Sequence, residues 1–90
     1  MGEFVNSITI RYWAAAKEAA GLAEETVQAR TLADALDAVR ERHADRVRFG
    51  PVLAMSSLLV DDHPVGKRDH ATVALRDGSQ VEVLPPFAGG

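Results

Sequence analysis

Gln80-Val81-Glu82-Val83-Leu84-Pro85-Pro86-Phe87-Ala88-Gly89-Gly90 is the stretch from which the rest of the chain is read. From Gln80 to Leu84 valines alternate with polar residues, the period-2 pattern of a strand with one buried face. Pro85 and Pro86 end that strand, because neither ring nitrogen can donate a ladder hydrogen bond. The two closing glycines carry no side chain, so a narrow channel in another protein can admit their backbone. We therefore expect a central strand over 80–84 and an extended tail over 85–90 with a reach of about 20 Å. Asp77-Gly78 supplies turn chemistry just upstream.

Working outward, Ile8, Ile10 and Tyr12 alternate with Thr9, Arg11 and Trp13, which predicts a first strand over Ser7 to Trp13. Ala14 to Ala20 consists of strong helix formers, and Gly21 stands where a left-handed C-terminal residue would sit. Glu24 to Ala29 reads as a second strand, antiparallel to the first across a wide hairpin. Thr31 is a good N-cap with Asp34 three residues on, and Leu32, Ala35, Leu36, Val39 and His43 recur at helical spacing. This is the main helix, with Asp34, Asp37, Arg40 and Glu41 on its solvated side. Gly50-Pro51 reads as a break, and Pro51 to Ser57 stays unassigned. Ser57 to Val60 predicts a third strand closed by the turn Asp61-Asp62-His63-Pro64, and Thr72 to Leu75 a further short strand.

The order β, β, α and then two or three strands predicts an α+β domain, a mixed sheet of four to five strands packed on one main helix. Residues 1–84 form the domain, with a flexible end over 1–6, and 85–90 form the tail. Ninety residues with 47% hydrophobic and 26% charged composition describe one small globular domain, with little room for a deep catalytic cavity. Ten basic against thirteen acidic residues leave a net charge of -3, without the basic excess that attracts nucleic acid. The absence of cysteine removes disulfides, thiolate nucleophiles and cysteine-ligated zinc together. With no signal-peptide pattern and no apolar run of roughly 20 residues, we expect a cytoplasmic protein that does not enter a membrane.

The residues resemble the ubiquitin-like β-grasp sulfur carriers, the MoaD/ThiS superfamily, and most closely its molybdopterin synthase small-subunit branch. The opening Tyr12-Trp13-Ala14, then Lys17-Glu18 and Gly21, is similar to that family's aromatic-aromatic-alanine, basic-Glu, Gly pattern. The ending is more specific: Asp77-Gly78, Val81, Pro85-Pro86 and Gly89-Gly90. Two features depart from the pattern. Residues Gly66 to Leu75 make a longer connection than usual, and Ser79 replaces a common acidic residue.

The resemblance implies a β-grasp fold and chemistry at the tail. An α-carboxylate with a reference pKa of about 3.3–3.7 is ionised at neutral pH and is a poor acyl electrophile. An ATP-dependent adenylating enzyme is therefore implied to activate Gly90, and a sulfur donor to convert the acyl adenylate to a thiocarboxylate. Gly90 would carry the sulfur, Gly89 and Ala88 would thread the tail, and Pro85, Pro86 and Phe87 would form the partner interface. The implied acceptor is a pterin precursor held by the large catalytic subunit of molybdopterin synthase, in a two-plus-two heterotetramer. ATP would be bound by the activating partner, and no cofactor, metal or catalytic side chain is assigned to this chain.

Other readings of the same residues are a carrier for thiazole or amino-acid biosynthesis, and a ubiquitin-like modifier or non-catalytic binding module. Tyr12 and Trp13 read as packing groups, and Lys17 and Arg11 as solvated charges. Asp61-Asp62-His63 reads as a turn, since adjacent strand residues point to opposite faces. His43, His63 and His70 show no metal-ligand spacing, and His43 falls at the end of the main helix.

Overall fold

Ile8, Ile10 and Tyr12 on one strand and Val81 and Val83 on another are all at most 2% exposed, so the two alternating patterns do face a common core. In the computed structural model, which describes residues 6–86, the elements are β1 Ser7–Tyr12, α1 Ala14–Ala20, β2 Glu24–Gln28, α2 Leu32–Arg42, α3 Phe49–Met55, β3 Ser57–Val60, β4 His63–Pro64 and β5 Gln80–Leu84. One sheet contains all five strands in the order β2-β1-β5-β3-β4. β1 runs parallel to β5, and the other pairs are antiparallel. This is the β-grasp arrangement. β5 lies in the middle, flanked by the register Ile10 opposite Val81 on one side and Leu58 opposite Val83 on the other.

The main helix buries Leu32, Ala35, Leu36 and Val39 in one hydrophobic cluster with Ile8, Ile10, Val27, Val81 and Val83. Each fully buried Val, Leu or Ile contributes about 1.5–3 kcal/mol relative to exposure. Thr31 caps the helix by accepting a hydrogen bond from the Asp34 amide at 3.2 Å, the first half of the capping box read from the sequence. His43 ends it and is buried.

Two local expectations need correction. Gly50-Pro51 lies in the first turn of a helix, Phe49–Met55, where the sequence reads a break and an unassigned stretch. Pro51 is its third residue, and the amide hydrogen it lacks is one of those that a first turn leaves unpaired in any case. The helix buries Phe49 and Leu53. The expected strand over Thr72 to Leu75 is replaced by a single 3₁₀ turn, His70–Thr72, and a lone bridge between Ala74 and Thr31. Val73 and Leu75 do alternate inward, at 6% exposure each. Their backbone partners are Leu32 and Arg30, at the point where the chain turns into α2, so the ladder cannot propagate.

The turn after β3 places Asp61 and Asp62 in the left-handed region, at φ 49 and 70. The Asp61 carboxylate accepts from the Gln80 amide at 2.9 Å, tying the turn to the start of β5. Ser79 is buried and its hydroxyl accepts from the Arg76 amide at 3.0 Å, so it closes the turn before β5 from within. No helix among the described residues is long and apolar enough to cross a membrane.

Candidate functional site at the root of the tail

β5 delivers the chain to Pro85 from the centre of the sheet, and the residues of β1 and α1 fix that exit. Trp13 donates its backbone N–H to the Val83 carbonyl at 3.2 Å, extending the β1–β5 pairing to the last turn before the prolines. Its indole Nε1–H donates to Glu82 Oε1 at 3.0 Å. The Arg11 guanidinium stacks over the ring, 5.3 Å from the ring centroid, and also faces Glu24 at 3.6 Å. Ala14 follows with φ 49, a conformation that costs a non-glycine residue roughly 1–2 kcal/mol. That bend turns the strand abruptly into α1 and leaves Trp13 projecting from the sheet.

Trp13, expected as a packing group, therefore lies outside the core with 42% of its surface exposed. Beside it a groove of about 630 Å³ is lined by Trp13, Ala14, Ala15, Glu18, Leu84, Pro85 and Pro86. The small side chains of Ala14 and Ala15 make the recess. Leu84 and Trp13 are its apolar walls. The arrangement can accept an apolar side chain from a partner at the point where the tail departs, with Glu18 as a polar edge.

Of the sequence-assigned site residues, Pro85 and Pro86 lie in this groove, Pro85 half-buried and Pro86 exposed. Phe87, Ala88, Gly89 and Gly90 lie outside the described residues. Trp13, Ala15, Glu18 and Leu84 were missed as site residues. The signal was present: Leu84 shares the phase of Gln80 and Glu82, away from Val81 and Val83, and Trp13 shares that of Arg11, away from Ile10 and Tyr12. Leu84, half-buried on the outer face of β5, and Trp13, exposed just beyond the end of β1, thus meet in one apolar groove.

A second cluster sits directly behind Tyr12. Its hydroxyl donates to Glu25 Oε2 at 2.5 Å, and His43 Nε2 lies 2.6 Å from the same oxygen. Arg42 donates to Glu25 Oε1 at 2.9 Å and to the Thr26 carbonyl at 3.1 Å. The Glu25 side chain is only 5% exposed. Burial pushes its carboxyl up, but hydrogen bonds from Tyr12, His43 and Arg42 outweigh burial and hold it below its ordinary 4.5. Burial and the Glu25 bond together push the Tyr12 phenol well above its usual range, so it stays neutral and donates. Phe49 covers the cluster, with ring centroids 5.7 Å from Tyr12 and 4.8 Å from His43. The sequence gives this cluster away only indirectly. Glu25 has the phase of buried Val27, and His43 the spacing of buried Val39.

Residues 10–90 match the ThiS family. The chain belongs to that family. Its members are ubiquitin-fold sulfur carriers of the MoaD and ThiS type. No curated protein matches by sequence. Among solved structures, the small archaeal modifier protein 1 from Methanosarcina acetivorans is similar at a TM-score of 0.78 and 16% identity, over 98% of this chain and 100% of that one. Subunit 1 in the complex of subunits 1 and 2 of the molybdopterin-converting factor from Helicobacter pylori gives 0.66 and 23%, over 93% and 99%. Urm1 from Trypanosoma brucei gives 0.69 and 14%, over 99% and 100%. These likenesses establish the β-grasp fold across nearly the whole of this ThiS-family chain.

Proposed function

We propose that this ThiS-family chain is the sulfur-carrying small subunit of a molybdopterin synthase, with Gly90 as the acyl group that carries the sulfur. The observation that carries the reading is the match of residues 10–90 to a carrier family, combined with a central strand that ends in Pro85-Pro86 at an apolar groove. The Gly90 carboxylate attacks the α-phosphorus of ATP on an adenylating enzyme, and pyrophosphate leaves. A sulfide equivalent then attacks the acyl carbon and AMP leaves with the acyl C–O bond, giving a thiocarboxylate. The complex of the two converting-factor subunits from Helicobacter pylori supports a large-subunit partner.

The protein's own contribution is presentation. A partner channel must admit Ala88, Gly89 and Gly90 while the domain stays outside, and two consecutive prolines restrict the tail to extended conformations before docking. Trp13, Leu84 and the alanines beside them supply the contact that aligns the domain with the channel mouth. Acid–base and ATP-binding groups belong to the partners in this reading.

Intact mass after incubation with an adenylating enzyme, ATP and sulfide tests the carrier step. The expected product has gained the mass difference between one sulfur and one oxygen at Gly90. An unmodified chain overturns carrier function. Isopeptide-linked adducts on lysine would instead make the chain a modifier. Transfer of sulfur to a thiazole precursor, with none to a pterin precursor on the large subunit, would reassign the acceptor.

A further inference from the structure

The Tyr12–Glu25 pair has no part in the acyl chemistry, yet it stands one residue from the place where the tail is fixed. Tyr12 is 2% exposed, and its backbone N–H donates to the Ala23 carbonyl at 2.8 Å while its hydroxyl reaches Glu25. The next residue, Trp13, has its backbone and its indole on Val83 and Glu82, the two residues that precede Leu84-Pro85. The one after, Ala14, is in the left-handed region and turns the chain away. Tyr12 is thus the last buried side chain before a strained corner, and through Trp13 that corner holds the end of β5.

We infer that Glu25 is a positioning residue for the tail: by gripping the Tyr12 hydroxyl it fixes the Tyr12–Trp13 corner, and through Trp13 the direction in which Pro85 leaves the sheet. Glu25 is suited to this because it is itself immobilised. Arg42 and His43 hold it from the end of α2, and Phe49 closes the cluster from α3. The grip therefore links the end of the main helix to Tyr12, next to the Trp13 corner. A carrier whose tail leaves in a fixed direction loses less freedom when a partner channel takes it up. Loosening the corner should weaken productive docking and leave the chemical steps on the partner untouched.

This inference rests on the tail being the acyl donor, and the test separates the two. The chain contains a single tryptophan, so Trp13 emission reports on the corner alone. Y12F removes one hydroxyl and E25Q the carboxylate charge, each with little change of shape. In the full chain, both should make Trp13 more accessible to acrylamide. Both should raise the KM for the carrier in thiocarboxylation by roughly three- to tenfold, the worth of one or two net hydrogen bonds, at unchanged kcat. R42M removes another partner of the same carboxylate without touching Tyr12. With His43 still holding Glu25, it should lower the melting temperature and raise quenching and KM by much less than Y12F does.

Wild-type quenching and KM in Y12F and E25Q would overturn the inference. So would a KM in R42M that rises as far as in Y12F, because the effect would then follow stability rather than position. Failure of both Y12F and E25Q to fold would make the pair a determinant of the fold, which also overturns it. Failure of the wild-type chain to accept sulfur would instead remove the carrier reading, while Trp13 quenching would still decide whether Glu25 sets the corner.

Discussion

The Arg46 guanidinium occupies the space in which a side chain on Gly21 would stand. Gly21 ends α1 in the left-handed region at φ 82, donating its amide to the Lys17 carbonyl, and Arg46 comes from the turn that follows α2. A glycine is required here twice over, for its backbone and for the close approach. The guanidinium is the far end of a flexible side chain and can swing aside, so the backbone conformation sets most of the cost. G21A should destabilise the protein by about 1–2 kcal/mol. The shift of the urea midpoint, at an unchanged slope, measures it.

Burial separates two other aliphatic positions. Leu36 is 1% exposed on the inner face of α2, whereas Val47 is 88% exposed in the turn beyond it. L36A removes packed methyl groups and leaves a cavity, which costs about 2–5 kcal/mol. V47S removes nothing from the core and should stay within about 0.5 kcal/mol of wild type. Thermal melts of both variants check the contrast, and equal melting temperatures would contradict the assigned inner face of α2.

Acid should loosen the domain through Glu25. Its carboxyl titrates below 4.5 in the folded protein and near 4.5 when unfolded, so the unfolded chain takes up the proton first as pH falls. The stabilisation is complete above the unfolded value and is lost as pH drops through the folded one. E25Q carries no titrating group. It should be less stable at neutral pH by about 1.5–3 kcal/mol, the worth of a hydrogen bond to a charged group, and should show a shallower fall below pH 4.5. Urea denaturation of both proteins across the acid range checks the slope.

What could be read from the residues follows how local each signal is. Strands β1 and β5 and helix α2 were legible because alternation and the 3.6-residue period are written in consecutive residues, and Thr31 marks the start of α2. Helix α3 was not, because Gly50 and Pro51 oppose a helix interior and only their first-turn position makes them compatible with one. Val73 and Leu75 show a true period of two, but its partner is the entry to α2, 41 to 45 residues away along the chain, so one bridge results. At the site, Pro85 and Pro86 were legible as the residues that end β5. Trp13 was misread as packing because its exposure depends on the bend at Ala14, a backbone state that alanine rarely signals.

Removing Gly90 should separate chemistry from fold. All of the buried apolar side chains of the described core fall between Ile8 and Val83, so a chain ending at Gly89 retains every one of them. Its melting temperature should match that of the full chain. It still ends in a glycyl carboxylate, but one residue shorter, which withdraws the acyl carbon from the partner's reactive centre by about 3.3–3.6 Å. A misplacement of even about 1 Å can cost a hundredfold in rate, so thiocarboxylation should fall by at least that factor. An added residue after Gly90 should abolish it as fully, because the activated carbonyl is then no longer that of glycine. Equal rates for the truncated, extended and full-length chains, followed by intact mass, would show that the glycine pair is not where the acyl chemistry occurs.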